Sequence, residues 1–224
     1  MSAPDRQLAA KLQAIHQILE ATYGEHPWEP HHRPVAELVN TILSQNTNDH
    51  NRDLAFVALR DRYPTWEAVR EASLDELIAV IRPAGLAPTK APRIQGALRR
   101  ITAVRGEISL DFLQELPLEA ARTWLIDIKG VGPKTAAIVL LFALGRPAFP
   151  VDTHVQRVSQ RLGLIPAHTS RKKAHLLLEE LVPPQLYYPL HLELIEHGRA
   201  ICKARQPRCA RCPLYEYCVY GEKG

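Results

Sequence analysis

The sequence predicts an all-α protein, and three observations support this fold class. Between loops rich in proline and glycine, apolar side chains recur every three or four residues, which is typical of amphipathic helices. Leucine and alanine are plentiful, whereas aromatic residues make up only 6% of the 224 residues. No segment alternates apolar and polar residues over the length of a strand. A chain of this length can bury a substantial core, as one domain or as two intertwined ones.

The helices follow from this spacing and from their end signals. The first has Leu8, Leu12 and Ile15 on one face, and Pro34 suits the first position of the second helix because it lacks an N–H. The helix at 90–104 should carry a basic face of Lys90, Arg93, Arg99 and Arg100. In chain order we expect helices at 5–22, 34–43, 50–63, 65–72, 74–82, 90–104, 111–115, 118–128, 133–144, 152–162, 170–182 and 184–200.

A tight glycine turn joins two of these helices. Gly130, Val131 and Gly132 follow the apolar spacing of residues 124–128, and Pro133 suits the first position of a new helix. From residue 136 to residue 144 nearly every side chain is apolar, so this helix should be buried on most sides. Free N–H groups at a helix start attract anions, most often phosphate. The turn is therefore either a helix–hairpin–helix motif facing a DNA phosphate or an ordinary connector.

Two charged residues flank the buried helix. Lys134 lies in its first turn, where the helix dipole disfavours a cation and, with desolvation, lowers the pKa of the amine from its usual value of about 10.4. Only a neutral amine attacks carbon. Asp152 follows a Pro-rich loop at the start of the next helix, where it is a good N-cap and also a fixed carboxylate. A solvated lysine and a purely capping aspartate are the plain alternatives.

Two further segments have the composition of ligand-contacting loops. Gln45 and Asn46 belong to a polar cluster at the end of the second helix, which suits either helix capping or contact with a ligand. Leu86 is an apolar residue among helix breakers, in the sequence RPAGLAP. It either packs into the core or remains available to a partner.

The chain has four cysteines, and all of them fall within seventeen residues. They are Cys202, Cys209, Cys212 and Cys218, with the spacing C-x6-C-x2-C-x5-C. Structural zinc sites usually come as two short pairs with a longer spacer, whereas four thiolates in one compact loop suit a [4Fe–4S] cluster. Zinc and two disulfides are the alternatives. Basic residues Lys203, Arg205 and Arg208 lie within the loop, which is either a phosphate-binding surface or a solvated charge run.

The overall composition is compatible with a nucleic-acid partner. The formal net charge is +4 at pH 7, which is mildly basic. No apolar run approaches the length of a membrane span, and the first residues lack the core of a signal peptide. We therefore expect no membrane partner and an intracellular protein, in the cytoplasm or nucleoid and associated with DNA.

Together these residues resemble the endonuclease III family, which are helix–hairpin–helix DNA glycosylases and abasic-site lyases with a [4Fe–4S] cluster. The likeness rests on Lys129-Gly130-Val131-Gly132-Pro133-Lys134-Thr135-Ala136, on Val151-Asp152-Thr153-His154, and on His197-Gly198-Arg199 before the cysteines. It covers about residues 8–218. The resemblance implies two helical lobes with a DNA groove between them: a domain of residues 26–146, and a second of residues 1–25 plus 147–224.

The resemblance also implies roles for single residues. Lys134 would be the nucleophile and Asp152 the charge stabiliser, converging on one deoxyribose, and the four cysteines would bind the cluster. Leu86 matches the leucine that wedges into the duplex, and Asn46 stands where the family has a glutamine beside the extruded nucleotide. We expect DNA contacts from Gln45, Asn46, Leu86, Gly130, Val131, Gly132, His154, Lys203, Arg205 and Arg208.

The implied activity is excision of oxidised pyrimidines, such as thymine glycol, followed by β-elimination 3′ to the abasic site. The partner would be double-stranded DNA with a damaged base or an abasic site, bound by a monomer. A thymine or adenine mismatch glycosylase of the same superfamily is one alternative, although the adenine-specific enzymes lack the lysine at this position. A DNA-binding module without catalysis is the other.

Overall fold

The computed structural model describes residues 3–220, with side chains from residue 6 onward. Within this range it contains helices and loops but no strand, which confirms the predicted all-α class. None of the described helices is both long enough and apolar enough to span a membrane. Residues 1, 2 and 221–224, which the second predicted domain includes, lie outside the described residues.

Eleven α-helices occur in the described range. They are α1 (Ala3–Tyr23), α2 (Pro34–Leu43), α3 (Asp49–Arg62), α4 (Trp66–Glu71), α5 (Leu74–Val80), α6 (Ala87–Arg105), α7 (Leu118–Ile126), α8 (Pro133–Ile138), α9 (Thr153–Arg161), α10 (Arg171–Leu181) and α11 (Tyr187–Ala200). Short 3₁₀ turns lie at Arg82–Ala84, Asp111–Gln114, Pro184–Leu186, Cys209–Arg211 and Tyr215–Tyr217.

Most helix starts agree with the sequence because local capping sets them. At five starts a side chain accepts a hydrogen bond from the amide three residues later, and these caps are Asn48, Thr65, Ser73, Asp152 and Ser170. Four predictions were wrong in detail. The helix predicted at 111–115 is a 3₁₀ turn at Asp111–Gln114, and α6 begins at Ala87, three residues before its predicted start. The last long helix begins with a 3₁₀ turn and becomes α-helical only at Tyr187, and α8 continues as a π-helical turn at Val139–Ala143.

The chain forms two compact units. Unit 1 comprises Met1–Glu29 and Pro147–Gly224, and unit 2 comprises Pro30–Arg146. In unit 1, α11 packs against both α1 and α9. Leu190 and Leu194 of α11 are fully buried, and Glu193 on the same helix lies 3.0 Å from His16 of α1.

Unit 2 is built around α2, which packs against α3, α6, α8 and the π-helical turn. Leu38, Val39, Ile42 and Leu43 of α2 are fully buried. Burying each such side chain contributes about 1.5–3 kcal/mol. Helix α8 is buried from Thr135 to its end at Ile138, as its apolar sequence predicts. This packing brings the C-terminal end of α2 close to the turn that precedes α8.

Candidate functional site

The turn between α7 and α8 is a compact hairpin. The Val131 N–H donates to the Ile128 carbonyl at 2.9 Å, and the Ala136 N–H donates to the Gly132 carbonyl at 3.0 Å. Gly130 has a φ of +91°, a conformation that a residue with a side chain rarely adopts. The Val131 side chain is only 5% exposed, so Val131 contributes packing to the core and its amide to the turn.

A glutamine on the α2 side holds this hairpin. Gln45 donates from its amide nitrogen to the Gly130 carbonyl at 3.2 Å, and its side-chain oxygen accepts from Arg93 at 3.1 Å. The Arg93 side chain also covers Gly130, since a Cβ added to Gly130 would lie 2.7 Å from Arg93 Cδ. Gln45 therefore joins α2, α6 and the hairpin, in addition to any contact with DNA. Sequence reasoning proposed only helix capping or DNA contact for it.

The residue expected beside the extruded nucleotide and the residue expected to wedge into the duplex both have left-handed backbone conformations. Asn46 has a φ of +53° and Leu86 a φ of +50°, and both side chains are exposed. The Leu86 side chain is 55% exposed, so the alternative that it packs into the core is wrong. A left-handed conformation costs roughly 1–2 kcal/mol per residue, and such strain is often found at functional sites.

Lys90 links the segments before these two residues. Its Nζ donates to the Leu43 carbonyl at 2.7 Å and to the Ala84 carbonyl at 2.8 Å. It is only 1% exposed, so the prediction that Lys90 lies on a basic surface face was wrong. Burial lowers the pKa of Lys90 to about 8. The two carbonyl contacts favour the charged form, so the ammonium is retained near neutral pH.

Lys134 is the second residue of α8 and is half-buried. The N-cap residue is Gly132, which is extended and has no side chain with which to cap the first amides. The first turn of α8 therefore presents the positive end of a helix directly after the hairpin. Lys134 thus lies in the first turn of a helix, as the sequence predicts.

In unit 1, Asp152 caps α9. Its Oδ1 accepts a hydrogen bond from the Val155 N–H at 2.7 Å, which confirms the predicted N-cap. His154 occupies the second position of α9, and its Nδ1 lies 3.1 Å from the guanidinium of Arg157. Because arginine only donates, Nδ1 accepts this bond and the proton of a neutral ring lies on Nε2. Burial lowers the pKa of His154, so the neutral ring is favoured.

Two arginines of α9 bind the cysteine loop. Arg157 donates to the carbonyls of Cys202 and Gly198, each at 3.0 Å. Arg161 donates to the Lys203 carbonyl at 2.8 Å and lies 3.3 Å from the Cys202 sulfur. The helix that Asp152 caps is thereby connected to the loop, a link that no local sequence pattern indicated.

The four cysteines line one cavity. It contains about 290 Å³ of atom-free space, part of it open to solvent, and Arg161, Ile201 and Tyr215 are among the other residues that line it. All four are free thiols, so they are available as ligands. Among the residues that the structure describes, no three Cys, His, Asp or Glu side chains are grouped as a site for a single metal ion. Four sulfurs around one cavity fit a cluster, which Cys₄ sets commonly hold.

The loop that carries these cysteines presents its basic side chains to solvent. Lys203, Arg205 and Arg208 are all exposed.

The structure brings the predicted site residues into two groups. Gln45, Asn46, Leu86, the hairpin and Lys134 belong to unit 2, whereas Asp152, His154 and the cysteine loop belong to unit 1. The convergence of Lys134 and Asp152 stays a prediction.

Two family models match the chain and define its class. The model of the HhH-GPD superfamily of base excision DNA repair proteins matches residues 39–184, which contain the hairpin, Lys134 and Asp152. The model of the iron–sulfur binding domain of endonuclease III matches residues 202–218, from the first cysteine to the last. The fold and its hairpin are thus those of a base excision DNA repair protein.

Named relatives and solved structures narrow the class. Endonuclease III of Thermotoga maritima is 35% identical over 84% of this chain and 83% of its own length. That of Synechocystis is 35% identical over 97% of both chains. An Arabidopsis thaliana protein described as a DNA glycosylase is 40% identical. The match covers 74% of this chain and 56% of the length of that protein. A non-covalent endonuclease III–DNA complex matches with a TM-score of 0.82 at 30% identity, covering 96% of this chain and 97% of that one.

The chain belongs to the endonuclease III family. It is an endonuclease III-like DNA glycosylase of base excision repair, and its cofactor is a [4Fe–4S] cluster. A thymine-DNA glycosylase structure also matches, with a TM-score of 0.80 over the full length of both chains. At 24% identity that likeness shows the shared fold alone.

Proposed function

We propose that this protein is a bifunctional DNA glycosylase and abasic-site lyase that removes oxidised pyrimidines of the thymine glycol type. Its partner is double-stranded DNA with a damaged base or an abasic site, and it acts as a monomer in the cytoplasm or nucleoid. The observation that carries the proposal is the position of Lys134, on the first turn of α8 directly after the glycine hairpin. A solved endonuclease III of 30% identity is a trapped covalent intermediate with DNA, which requires such a nucleophile.

DNA binding follows from the hairpin and the loops of unit 2. The Val131 amide is already bonded within the turn. The other amides of the hairpin and those of the first turn of α8 bind a phosphate, because a helix start attracts anions. Leu86, exposed and fixed in a left-handed conformation, wedges between base pairs. Asn46 fills part of the space left by the extruded nucleotide. Damaged bases stack and pair less well, so their extrusion costs less.

The chemistry needs an amine and a carboxylate at the same sugar. Asp152 stabilises the positive charge that develops on the deoxyribose as the base leaves with the electrons of the glycosidic bond. The neutral amine of Lys134 forms a bond to C1′ and loses a proton. The C1′–O4′ bond then breaks, the ring oxygen takes up a proton, and the opened sugar is held as a Schiff base. The resulting Schiff base acidifies the C2′ proton, and its loss breaks the C3′–O bond, which cuts the strand 3′ to the lesion.

The cysteine loop supports this reaction without taking part in it. We propose that Cys202, Cys209, Cys212 and Cys218 ligate the cluster. Base removal and β-elimination transfer no net electrons, so the cluster shapes the loop and does not act on the sugar. Exposed Lys203, Arg205 and Arg208 then bind phosphates and release counterions.

Reduction with borohydride during reaction with abasic DNA tests the role of Lys134. The wild-type protein should form a covalent adduct, and Lys134→Ala should form none while retaining DNA affinity. Lys129→Ala is the matched control, because Lys129 is an exposed lysine of the same turn and should not affect trapping. Equal trapping by Lys134→Ala would assign the nucleophile to another residue.

A panel of duplexes tests the substrate class. Thymine glycol should be excised faster than thymine from a G·T mismatch or adenine from a mismatch. Preference for a mismatch would make the protein a mismatch glycosylase of the same superfamily. Binding without excision or strand cleavage would reduce it to a DNA-binding module.

A further inference from the structure

A tyrosine of α1 and a histidine of α11 lie in line with one of the proposed cluster ligands. The ring of His197 is between them and is almost completely buried, with only 1% of the residue exposed. Its Nδ1 is 3.1 Å from the Tyr23 hydroxyl, and its Nε2 is 3.6 Å from the Cys212 sulfur. No function was predicted for Tyr23 or for the ring of His197 from the sequence.

The direction of these two hydrogen bonds follows from the chemistry of a bound thiolate. A sulfur that ligates iron has lost its proton and can only accept a hydrogen bond. His197 Nε2 must therefore carry a proton, which it donates to Cys212. In a neutral imidazole the other nitrogen, Nδ1, is then bare and can only accept. The Tyr23 hydroxyl is left as the donor.

We propose that Tyr23 and His197 form a hydrogen-bond relay from α1 to Cys212, which donates to the ligand sulfur and raises the reduction potential of the cluster. The inference rests on the proposed ligation by Cys212. Tyr23 acts as a positioning residue, because it holds the tautomer of His197 and does not itself contact the sulfur. A reduced cluster carries more negative charge on its sulfurs, so a donor stabilises it more than the oxidised cluster.

The surroundings keep both groups in the required protonation states. Almost complete burial of His197 favours the neutral ring. Burial also raises the pKa of Tyr23 to about 12, so the phenol keeps its proton. The backbone of His197 is joined to the start of the cysteine loop, because its carbonyl accepts hydrogen bonds from the amides of Ile201 and Cys202 at 2.9 and 2.8 Å.

The reduction potential of the purified holoprotein tests the relay without any DNA. Tyr23→Phe removes one hydroxyl and should shift the potential to a more negative value. Loss of one hydrogen bond lowers the equilibrium constant for reduction about tenfold. This change corresponds to a shift of about 59 mV in the potential of a one-electron couple. Tyr187→Phe is the matched control, since its hydroxyl donates to the Glu179 carbonyl at 2.7 Å within the same unit. That variant should keep the wild-type potential.

An unchanged potential in Tyr23→Phe, or the same shift in Tyr187→Phe, would overturn the relay. If Tyr23→Phe does not load its cluster, the wild-type holoprotein still decides, because nitrogen NMR of the oxidised protein distinguishes the two histidine tautomers. A proton on Nε2 of His197 supports the relay, and a proton on Nδ1 refutes it. Iron-free wild-type protein would instead show that the ligand assignment, and not the relay alone, was wrong. Neither measurement depends on glycosylase activity.

Discussion

Asp152 has a structural role and a proposed catalytic role, and two substitutions separate them. In the structure its Oδ1 accepts from the Val155 amide at 2.7 Å and caps α9. In the proposed reaction its negative charge stabilises the sugar. Asparagine caps helices about as well as aspartate, whereas alanine has no acceptor. Asp152→Asn therefore removes the charge and keeps the cap, and Asp152→Ala removes both.

The two effects have different magnitudes. Loss of the cap costs about 1 kcal/mol of unfolding free energy, and loss of an anion at a helix start costs roughly 0.3–1 kcal/mol. For a chain of this size 1 kcal/mol shifts the melting temperature by about 2–4 °C. We expect Asp152→Asn to melt within a few degrees of the wild type and Asp152→Ala to melt lower. Both should lose about 10²–10³-fold in the rate of base excision, as expected for one electrostatic stabiliser.

Single-turnover excision, thermal unfolding and DNA affinity would be measured on the same preparations. Ser170→Ala is the matched control, because Ser170 caps α10 of the same unit by accepting from the Lys173 amide at 3.4 Å. It should lose about 1 kcal/mol of stability and keep its activity. If Asp152→Asn excises bases within a few-fold of the wild type, Asp152 is a cap only and the proposed mechanism is refuted.

Three further predictions follow from the contacts described above. Lys90→Met should lower the free energy of unfolding by about 2–4 kcal/mol at pH 7, since two buried carbonyls lose their partner. The pKa of Lys90 is about 8 when folded and 10.5 when unfolded, so the unfolded chain binds more protons between these values and wild-type stability should rise with pH there. Thermal unfolding across pH 7–10.5 would show this rise, and a similar rise in the Met variant would contradict it. Gly130→Ala should cost about 2 kcal/mol and weaken DNA binding, because its φ is +91° and its methyl would displace Arg93; calorimetry and binding that match the wild type would refute this. A triple alanine variant of the loop removes Lys203, Arg205 and Arg208. Its plot of log affinity against log salt should be shallower by up to about 2.7, or about 0.9 for each lost phosphate contact, and an unchanged slope would show that the loop is only solvated.

Local signals account for most of the helices. Pro34 begins α2, as expected for a residue without an N–H, and Asp152 caps α9. These positions depend on residues within one helical turn, so a sequence is sufficient to predict them. The π-helical turn at Val139–Ala143 has no such local cause in its run of apolar residues, and a regular helix was the natural expectation.

The position of Lys90 was mispredicted although the sequence contains a sign of it. Ala87, Ala91, Ile94 and Leu98 form the buried face of α6, and Lys90 lies within that face. Its charge suggested a surface residue, because lysines are rarely buried without partners. The partners here are two carbonyls, one of them 47 residues earlier in the chain. No periodicity in a single helix can reveal such a partner.

The candidate site depends on contacts of the same long range. Gln45 and Gly130 are 85 residues apart, and Tyr23 and His197 are 174 apart. The sequence indicates which residue types are present, and the resemblance assigns their roles. The connection between them arises only when the helices pack. This explains why Lys134 could be proposed from its own surroundings while Gln45 was assigned only capping or DNA contact.

The strained residues of unit 2 connect stability with the proposed reaction. Among residues 3–220, four residues other than glycine have a positive φ, and two of them are Asn46 and Leu86. A protein keeps such conformations only where the neighbouring structure holds them. Here Lys90 binds the carbonyls of Leu43 and Ala84, each within three residues of a strained position. Leu86 is also the N-cap residue of α6, and its carbonyl accepts hydrogen bonds from the amides of Thr89 and Lys90 at 2.9 and 3.0 Å. Its backbone thus serves the fold, while its exposed side chain is available for the wedge role proposed above. Because one buried ammonium binds both segments, the wedge and the gap-filling residue that we propose would already be in place before DNA binds.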